Sequence, residues 1–517
     1  MNLVAAPGRS SDVLSRIGRT AWSWPIAFVL GALSALAFAP LHLAFAFPIA
    51  FGGLLLLLEH RQTVHGALLL GWLYGLGSFL VGLHWITEAF AVDAERFGVL
   101  ALPALLGLSA LLAIFSALSV AAARLLAGCR GGLPLAMSLV TCWVLGEWLR
   151  GIVMDFPWNI AGYAWGFAEA PLQAASLIGI HGLGVLALLV SVLPVLALRD
   201  RRPWSLMTGA VILGALWAYG GVRLSAEGSI DAAGVRLRLV QPNIPQSLKW
   251  AESERERTLS RLLDLSRTAA AEPPTHVIWP ESAVPYLVAE EPAVRATLAT
   301  AVPPNGALLT GAVRRATAPD GGVALLNSIL TLSDDGEILT AYDKVWLVPF
   351  GEYRPFRNLL GWLPKLTVGD VDFLPGPPRR PLIAPGLPPA WPLICYEAIF
   401  PHTLETEGLL PSWILAISND AWFGTSWGPY QHLLAARLRA IEFGLPLIRI
   451  ANSGISLVTD ALGQERARLP LGVEGILDTA LPAALPQETP YARFGDLPFG
   501  LATLVMGGAV LLAWRRA

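Results

Sequence analysis

Charge is what this 517-residue chain has least of. Asp, Glu, Lys and Arg make up 14% of it against 54% hydrophobic residues, and its mean hydropathy is +0.56. A soluble domain is about one-quarter charged. The shortage excludes a disordered chain, a basic nucleic-acid-binding protein and a wholly soluble enzyme. The formal net charge of −2 leaves no global field to attract nucleic acid or acidic partners. Three cysteines cannot build a disulfide framework. The eight histidines lack H-E-x-x-H spacing and no cysteine cluster exists, so no metal is expected; with no phosphate loop either, no cofactor is expected. Lysine is scarce as well. Lys249, Lys344 and Lys365 are the whole supply, and arginine carries the rest of the positive charge.

What is present is unevenly spread. Residues 1–224 are apolar runs separated by a few charges, residues 225–493 read as an ordinary α/β protein, and residues 494–517 close the chain with one more apolar run. A membrane-spanning helix needs about 20 mostly apolar residues. The candidate spans are 21–39, 41–58, 66–87, 99–123, 133–148, 171–198 and 205–222, seven in the first part, and 497–513 at the end. Glu147 and Arg150, at the end of the fifth, are expected at an interface. Arg9, Arg16, Arg19, Arg61, Arg124, Arg130, Arg199, Arg201, Arg202, Arg515 and Arg516 all fall on one side of these spans. The positive-inside rule makes that side the cytoplasm. Both termini are then inside and residues 225–493 outside.

The 225–493 segment holds short apolar runs at 235–241, 276–279, 307–312, 326–332, 392–395, 413–418, 447–450 and 455–459, which read as buried strands. Residues 252–271 and 430–443 have helical periodicity. Strands alternating with helices predict an α/β sandwich. Residues 363–389, rich in Pro and Gly, are expected to form a long surface loop or lid.

Cys129 and Cys142 lie in or beside apolar spans and read as packing. Cys395 is the one cysteine of the outward segment and ends the apolar run Pro392-Leu393-Ile394. An unpaired thiol in an oxidising compartment is a liability unless it is buried or used. Lys344 sits among apolar residues where an arginine-preferring chain has chosen a compact ammonium. Glu281 follows the apolar run His276-Val277-Ile278-Trp279-Pro280 and so also stands at a strand end. One motif misleads. Gly424-Thr425-Ser426-Trp427-Gly428 fits the nucleophile elbow G-x-S-x-G, but His432 is the only later histidine and no acid lies between.

Trp279-Pro280-Glu281-Ser282, Asp343-Lys344-Val345 leading to Pro349-Phe350-Gly351-Glu352, and Ile394-Cys395-Tyr396-Glu397 together resemble the nitrilase superfamily. The spans narrow the resemblance to its membrane-bound branch, the apolipoprotein N-acyltransferase family. Gly146-Glu147-Trp148-Leu149-Arg150-Gly151, Gln241-Pro242-Asn243-Ile244-Pro245-Gln246, Asn327-Ser328 and Ser418-Asn419-Asp420-Ala421-Trp422-Phe423-Gly424 match it in order. The resemblance implies a polytopic α-helical membrane domain joined to a nitrilase-like α-β-β-α sandwich. It implies Glu281, Lys344 and Cys395 as catalytic triad, with Glu352, Tyr396 and Glu397 as auxiliaries. Trp250, Trp346, Trp422 and Asn327 become substrate-binding candidates, and Trp362 a further cleft-lining one. The acyl donor would be a phospholipid such as phosphatidylethanolamine, the acceptor a diacylated apolipoprotein, and the location the bacterial inner membrane with the catalytic domain in the periplasm. A membrane-tethered amidase acting on a small substrate is the alternative expectation.

Overall fold

The computed structural model of the protein describes residues 21–200, 203–225, 231–319, 321–355, 365, 371–401 and 410–515. Arg9, Arg16, Arg19, Arg201, Arg202, Arg516, Trp362 and most of 363–370 lie outside the described residues. The chain divides into two compact units. One comprises Met1–His84, Leu102–Ser225 and Arg493–Ala517, and the other Trp85–Ala101 and Ala226–Ala492.

Five helices are long and apolar enough to cross a membrane: Val64–Gly82, Ala94–Ala127, Leu133–Val153, Ala175–Asp200 and Trp204–Leu224. Three shorter apolar helices, Ser23–Ala35, Ala46–Glu59 and Leu497–Leu512, occupy the remaining places where spans are expected. Small residues let these helices approach closely. A Cβ added at Gly31 would stand 1.8 Å from the Tyr74 carbonyl oxygen, so helices Ser23–Ala35 and Val64–Gly82 touch backbone to backbone there. The outward residues remain apolar: Leu198 is 84% exposed and Leu504 73%, a surface suited to lipid rather than water. Arg150, expected at an interface, has protein partners. It is buried, and its guanidinium donates to the carbonyls of Phe156 (2.7 Å) and Trp158 (2.8 Å), fastening the Phe-Pro-Trp turn after its helix.

The second unit is a four-layer sandwich. Its strands are β1 (Asp231–Gln241), β2 (His276–Ile278), β3 (Ala307–Thr317), β4 (Val323–Leu332), β5 (Ile338–Asp343), β6 (Ala390–Ile394), β7 (Trp413–Ser418), β8 (Leu447–Ala451), β9 (Ser456–Thr459), β10 (Glu465–Leu469) and β11 (Gly475–Pro482). One sheet runs β11-β1-β2-β3-β4-β5 and the other β10-β9-β8-β7-β6. Alternation along each strand builds the layers. Leu237, Leu239, Ile278 and Leu309 meet Ile394, Leu415, Ile417 and Ile448 between the sheets. Their neighbours Val240, Val277 and Leu308 face outward onto Leu262, Leu263 and Leu298 of helices Arg255–Ser266 and Pro292–Ala299. Leu393, Ile414 and Ala416 face outward onto Ala436, Ala440 and Phe443 of helix Gly428–Phe443. Because both faces of the central strands are covered, those strands read as unbroken apolar runs.

Three strands escape a reading by hydrophobic runs. β5 is half exposed, β10 is half exposed and charged, and β11 is only partly buried. The described part of the 363–389 segment is a loop, mostly exposed or half-buried as expected, but it is anchored. Leu382 is buried in the inter-sheet core and its backbone pairs with Ala390.

Candidate active site

The site is assembled at strand ends. Glu281 follows β2, Lys344 follows β5 and Cys395 follows β6. Glu281 is set by a close backbone contact with β3. Gly311 accepts a hydrogen bond from the Ala283 amide (2.9 Å) and donates one to the Pro280 carbonyl (3.2 Å). A Cβ at position 311 would lie 2.5 Å from the Glu281 Cα, so only glycine allows this approach. Lys344 is placed by its neighbour and by β4. Asp343 accepts from Arg314 (2.6 Å) and from the Ser328 hydroxyl (2.5 Å), while the Lys344 amide donates to the Asn327 carbonyl (2.8 Å).

The side chains converge. The Lys344 ammonium lies 2.9 Å from Glu352 Oε2 and 3.7 Å from Glu281 Oε1. The Asn327 amide donates to both acids, at 2.7 Å to Glu281 and 2.9 Å to Glu352. The Val348 amide donates to the other Glu352 oxygen at 2.8 Å. Lys344, Asn327, Glu281 and Glu352 are all buried. Burial disfavours the Lys344 ammonium, but Glu352, Glu281 and Cys395 outweigh it and hold the pKa above the ordinary lysine value. The Cys395 thiol is pushed up to about 12, chiefly by burial and then by the Glu281 charge, against the opposing pull of Lys344 and a hydrogen bond with Ser418. A resting thiol of this kind needs a base to become a nucleophile.

Cys395 has φ +50, a left-handed conformation unusual outside glycine. Two networks support it. Glu397 accepts from the Ile394 amide (2.8 Å), the Val345 amide (2.9 Å) and the Tyr342 hydroxyl (2.8 Å), with Arg379 3.4 Å away. It therefore ties the chain before Cys395 to the chain after Lys344. Arg379 lies over the rings of Trp346 (4.8 Å) and Trp391 (5.6 Å). On the other side, His432 Nε2 donates to the Cys395 carbonyl at 2.9 Å, and Asp420 binds His432, Ser418 and Arg449.

The structure thus brings Glu281, Lys344, Glu352 and Asn327 into one cluster, with Cys395 close enough to feel the charges of the first two. Asn327 bonds to the carboxylates themselves. Trp346 stacks on Phe400 (5.0 Å), which also meets the edge of Tyr396 (5.2 Å). Trp250 is 37% exposed and Trp422 half-buried, and neither indole has a hydrogen-bond partner among the described residues. Ser426 of the misleading G-x-S-x-G motif donates to the Phe423 carbonyl at 2.6 Å and merely closes a turn. Lys249, Arg379, His432 and Arg449 join the site without a local motif to mark them. Lysine scarcity singled out Lys249, whose ammonium donates to the Glu281 carbonyl at 2.9 Å. Burial lowers its pKa to about 8, partly offset by Glu281 and Cys395. Among the described residues no group of His, Cys, Asp and Glu could hold a metal ion.

Comparison with known proteins gives the family. Residues 30–193 match the apolipoprotein N-acyltransferase N-terminal domain, and residues 236–491 match the carbon-nitrogen hydrolase family. An apolipoprotein N-acyltransferase of Rhodopseudomonas palustris is 41% identical over 97% of this chain and 98% of its own. The chain belongs to the apolipoprotein N-acyltransferase family. Another member, from Bradyrhizobium diazoefficiens, is 43% identical over 96% of both chains. A carbon-nitrogen hydrolase superfamily structure from Xanthomonas campestris overlaps 48% of this chain and 90% of its own, with 20% identity and a TM-score of 0.36. The fold assignment rests on the family match and the two observed sheets, not on that overlap.

Proposed function

We propose that this family member transfers an acyl chain from the sn-1 position of a phospholipid to the α-amine of a diacylated apolipoprotein, by way of a thioester on Cys395. The observation that carries the reading is the buried Glu281–Asn327–Lys344–Glu352 cluster beside a cysteine at the end of β6. Glu281 takes the thiol proton and the thiolate attacks the ester carbonyl. The carbonyl electrons move onto oxygen, where the Lys344 ammonium and the Tyr396 amide stabilise the charge. As the oxyanion collapses, the C–O bond breaks and Glu281 returns the proton to the leaving lysophospholipid. The amine then attacks the thioester, loses a proton to Glu281, and leaves an amide and the free thiol. Ester and amine are consumed, amide and alcohol are formed, and no oxidant or cofactor is required. Glu352 and Asn327 hold Lys344 and Glu281 in register. Trp250, Trp346 and Trp422 supply apolar surface for the lipid chains.

Phosphatidylethanolamine serves as donor, and the location is a bacterial inner membrane with Cys395 on the periplasmic side and both termini in the cytoplasm. Reporters fused after Ala232 and after Ala517 should give opposite topologies; the same side for both contradicts the orientation. The function itself is tested with purified protein, phosphatidylethanolamine and a diacylated lipopeptide. N-acylated product should form with the wild type and not with Cys395→Ala. Hydrolysis of small amides without lipopeptide acylation overturns the proposal.

A further inference from the structure

One buried titratable side chain touches the nucleophile's own peptide group yet has no part in the steps above. His432, on helix Gly428–Phe443, is 1% exposed and its Nε2 lies 2.9 Å from the Cys395 carbonyl oxygen. A carbonyl can only accept, so Nε2 carries the proton. Behind the ring the contacts are continuous. His432 Nδ1 is 3.0 Å from Asp420 Oδ1 and 3.1 Å from Arg449 Nη2. Asp420 Oδ2 accepts from Arg449 at 2.7 Å, and Asp420 Oδ1 from the Ser418 hydroxyl at 2.5 Å. Asp420 and Arg449 are completely buried. Burial alone would favour a neutral acid at 420, but Arg449 and His432 hold its carboxyl well below the usual range. The imidazole is therefore fixed from behind by an anion and a cation that cannot turn away to water.

The consequence follows from the planarity of the peptide. The Cys395 carbonyl and the Tyr396 N–H belong to one trans unit and point in opposite directions. Fixing the carbonyl fixes the N–H. Cys395 also sits at φ +50, a conformation that surroundings must enforce. We infer that His432 is a positioning residue for the oxyanion hole: by holding the Cys395 carbonyl it aims the Tyr396 N–H at the oxyanion formed during acyl transfer. Asp420 and Arg449 hold the ring in turn. The inference rests on the acyl-transfer reading above.

Two reactions of Cys395 separate this role from a general structural one. Acylation by an ester passes through an oxyanion and needs the N–H. Alkylation by iodoacetamide displaces iodide at a saturated carbon and does not. The test uses the full chain in detergent, with phosphatidylethanolamine as acyl source, and the variants His432→Phe and His432→Gln. Phenylalanine keeps a ring against Phe423, 5.7 Å away, but has no N–H. Glutamine keeps an N–H. His432→Phe should slow acylation of Cys395 by about 100-fold, the lower range for loss of an oxyanion donor, and leave alkylation at the wild-type rate. His432→Gln should recover most of the acylation. Wild-type acylation in His432→Phe overturns the inference, as does a parallel loss of alkylation or failure of glutamine to do better than phenylalanine. If wild-type Cys395 is never acylated while alkylation proceeds, it is the functional reading that fails.

Discussion

Two buried ionic clusters flank Lys344, and they are built on different lines. In the first, Lys344 faces Glu281 and Glu352, with Asn327 bridging the acids. It uses a compact ammonium, and Asn327 Oδ1 has no hydrogen-bond partner among the described residues. In the second, Glu397 collects two backbone amides and the Tyr342 hydroxyl at 2.8–2.9 Å, with Arg379 beside it. Its cation is a planar guanidinium lying over two indoles. The first is suited to receive a substrate and change its protonation; the second is a clasp between two chain segments. Burial and charge alone do not distinguish them. The choice of cation does.

That contrast can be broken by experiment. Glu397→Gln removes the charge opposite Arg379 and should destabilise the fold by about 3–5 kcal/mol, the usual cost of unpairing a buried charge. Thermal unfolding in detergent measures it, and an unchanged midpoint removes the clasp role. Lys344→Arg should leave the midpoint nearly unchanged but lower the acylation rate by about 100–1,000-fold, because guanidinium donors miss the oxyanion position. Near-normal turnover would make Lys344 a structural residue. The reciprocal change, Arg379→Lys, should cost about 1–2 kcal/mol of stability through lost stacking on Trp346 and Trp391, with turnover reduced far less than by Lys344→Arg. Equal losses would erase the distinction.

The smallest effect concerns pH. The Cys395 thiol lies above its ordinary range, at about 12, so the neutral thiol predominates through the physiological range. Raising the pH increases the thiolate fraction without saturation. Iodoacetamide alkylation of Cys395 should therefore keep accelerating up to pH 10 with no plateau near the ordinary cysteine value. A plateau near pH 8.5 would mean that Lys344 and Ser418 outweigh burial and Glu281.

Much of this was legible in the sequence because burial on both faces leaves continuous apolar strands. All eight apolar runs of the 225–493 segment fall on strands, and Glu281 and Cys395 stand at the ends of two of them, whereas Lys344 follows β5, which no apolar run marks. β5, β10 and β11 were not legible, because half-exposed strands such as Glu465–Leu469 carry charges and no apolar run. Glu352 and Asn327 carry a sequence signal, but the bridge from Asn327 to both acids depends on the pairing of β4 with β5 and on the close backbone approach at Gly311, which no local pattern encodes. Arg379 lies in a Pro-rich stretch that reads as loop. His432 drew notice only as a failed serine-hydrolase partner. Its link to Cys395 spans 37 positions and exists only through tertiary packing. The carbonyl partners of Arg150 are likewise not legible, because a charge at the end of an apolar run does not say which backbone groups it will bind.

The central claim is that acyl transfer passes through Cys395, and its most direct test omits the acceptor. Purified protein is incubated with phosphatidylethanolamine alone, digested, and the Cys395 peptide weighed. The account predicts an added acyl mass on that peptide, released by neutral hydroxylamine and absent from Cys395→Ala. Lipopeptide acylation proceeding while the Cys395 peptide stays unmodified, or continuing in Cys395→Ala, would contradict it.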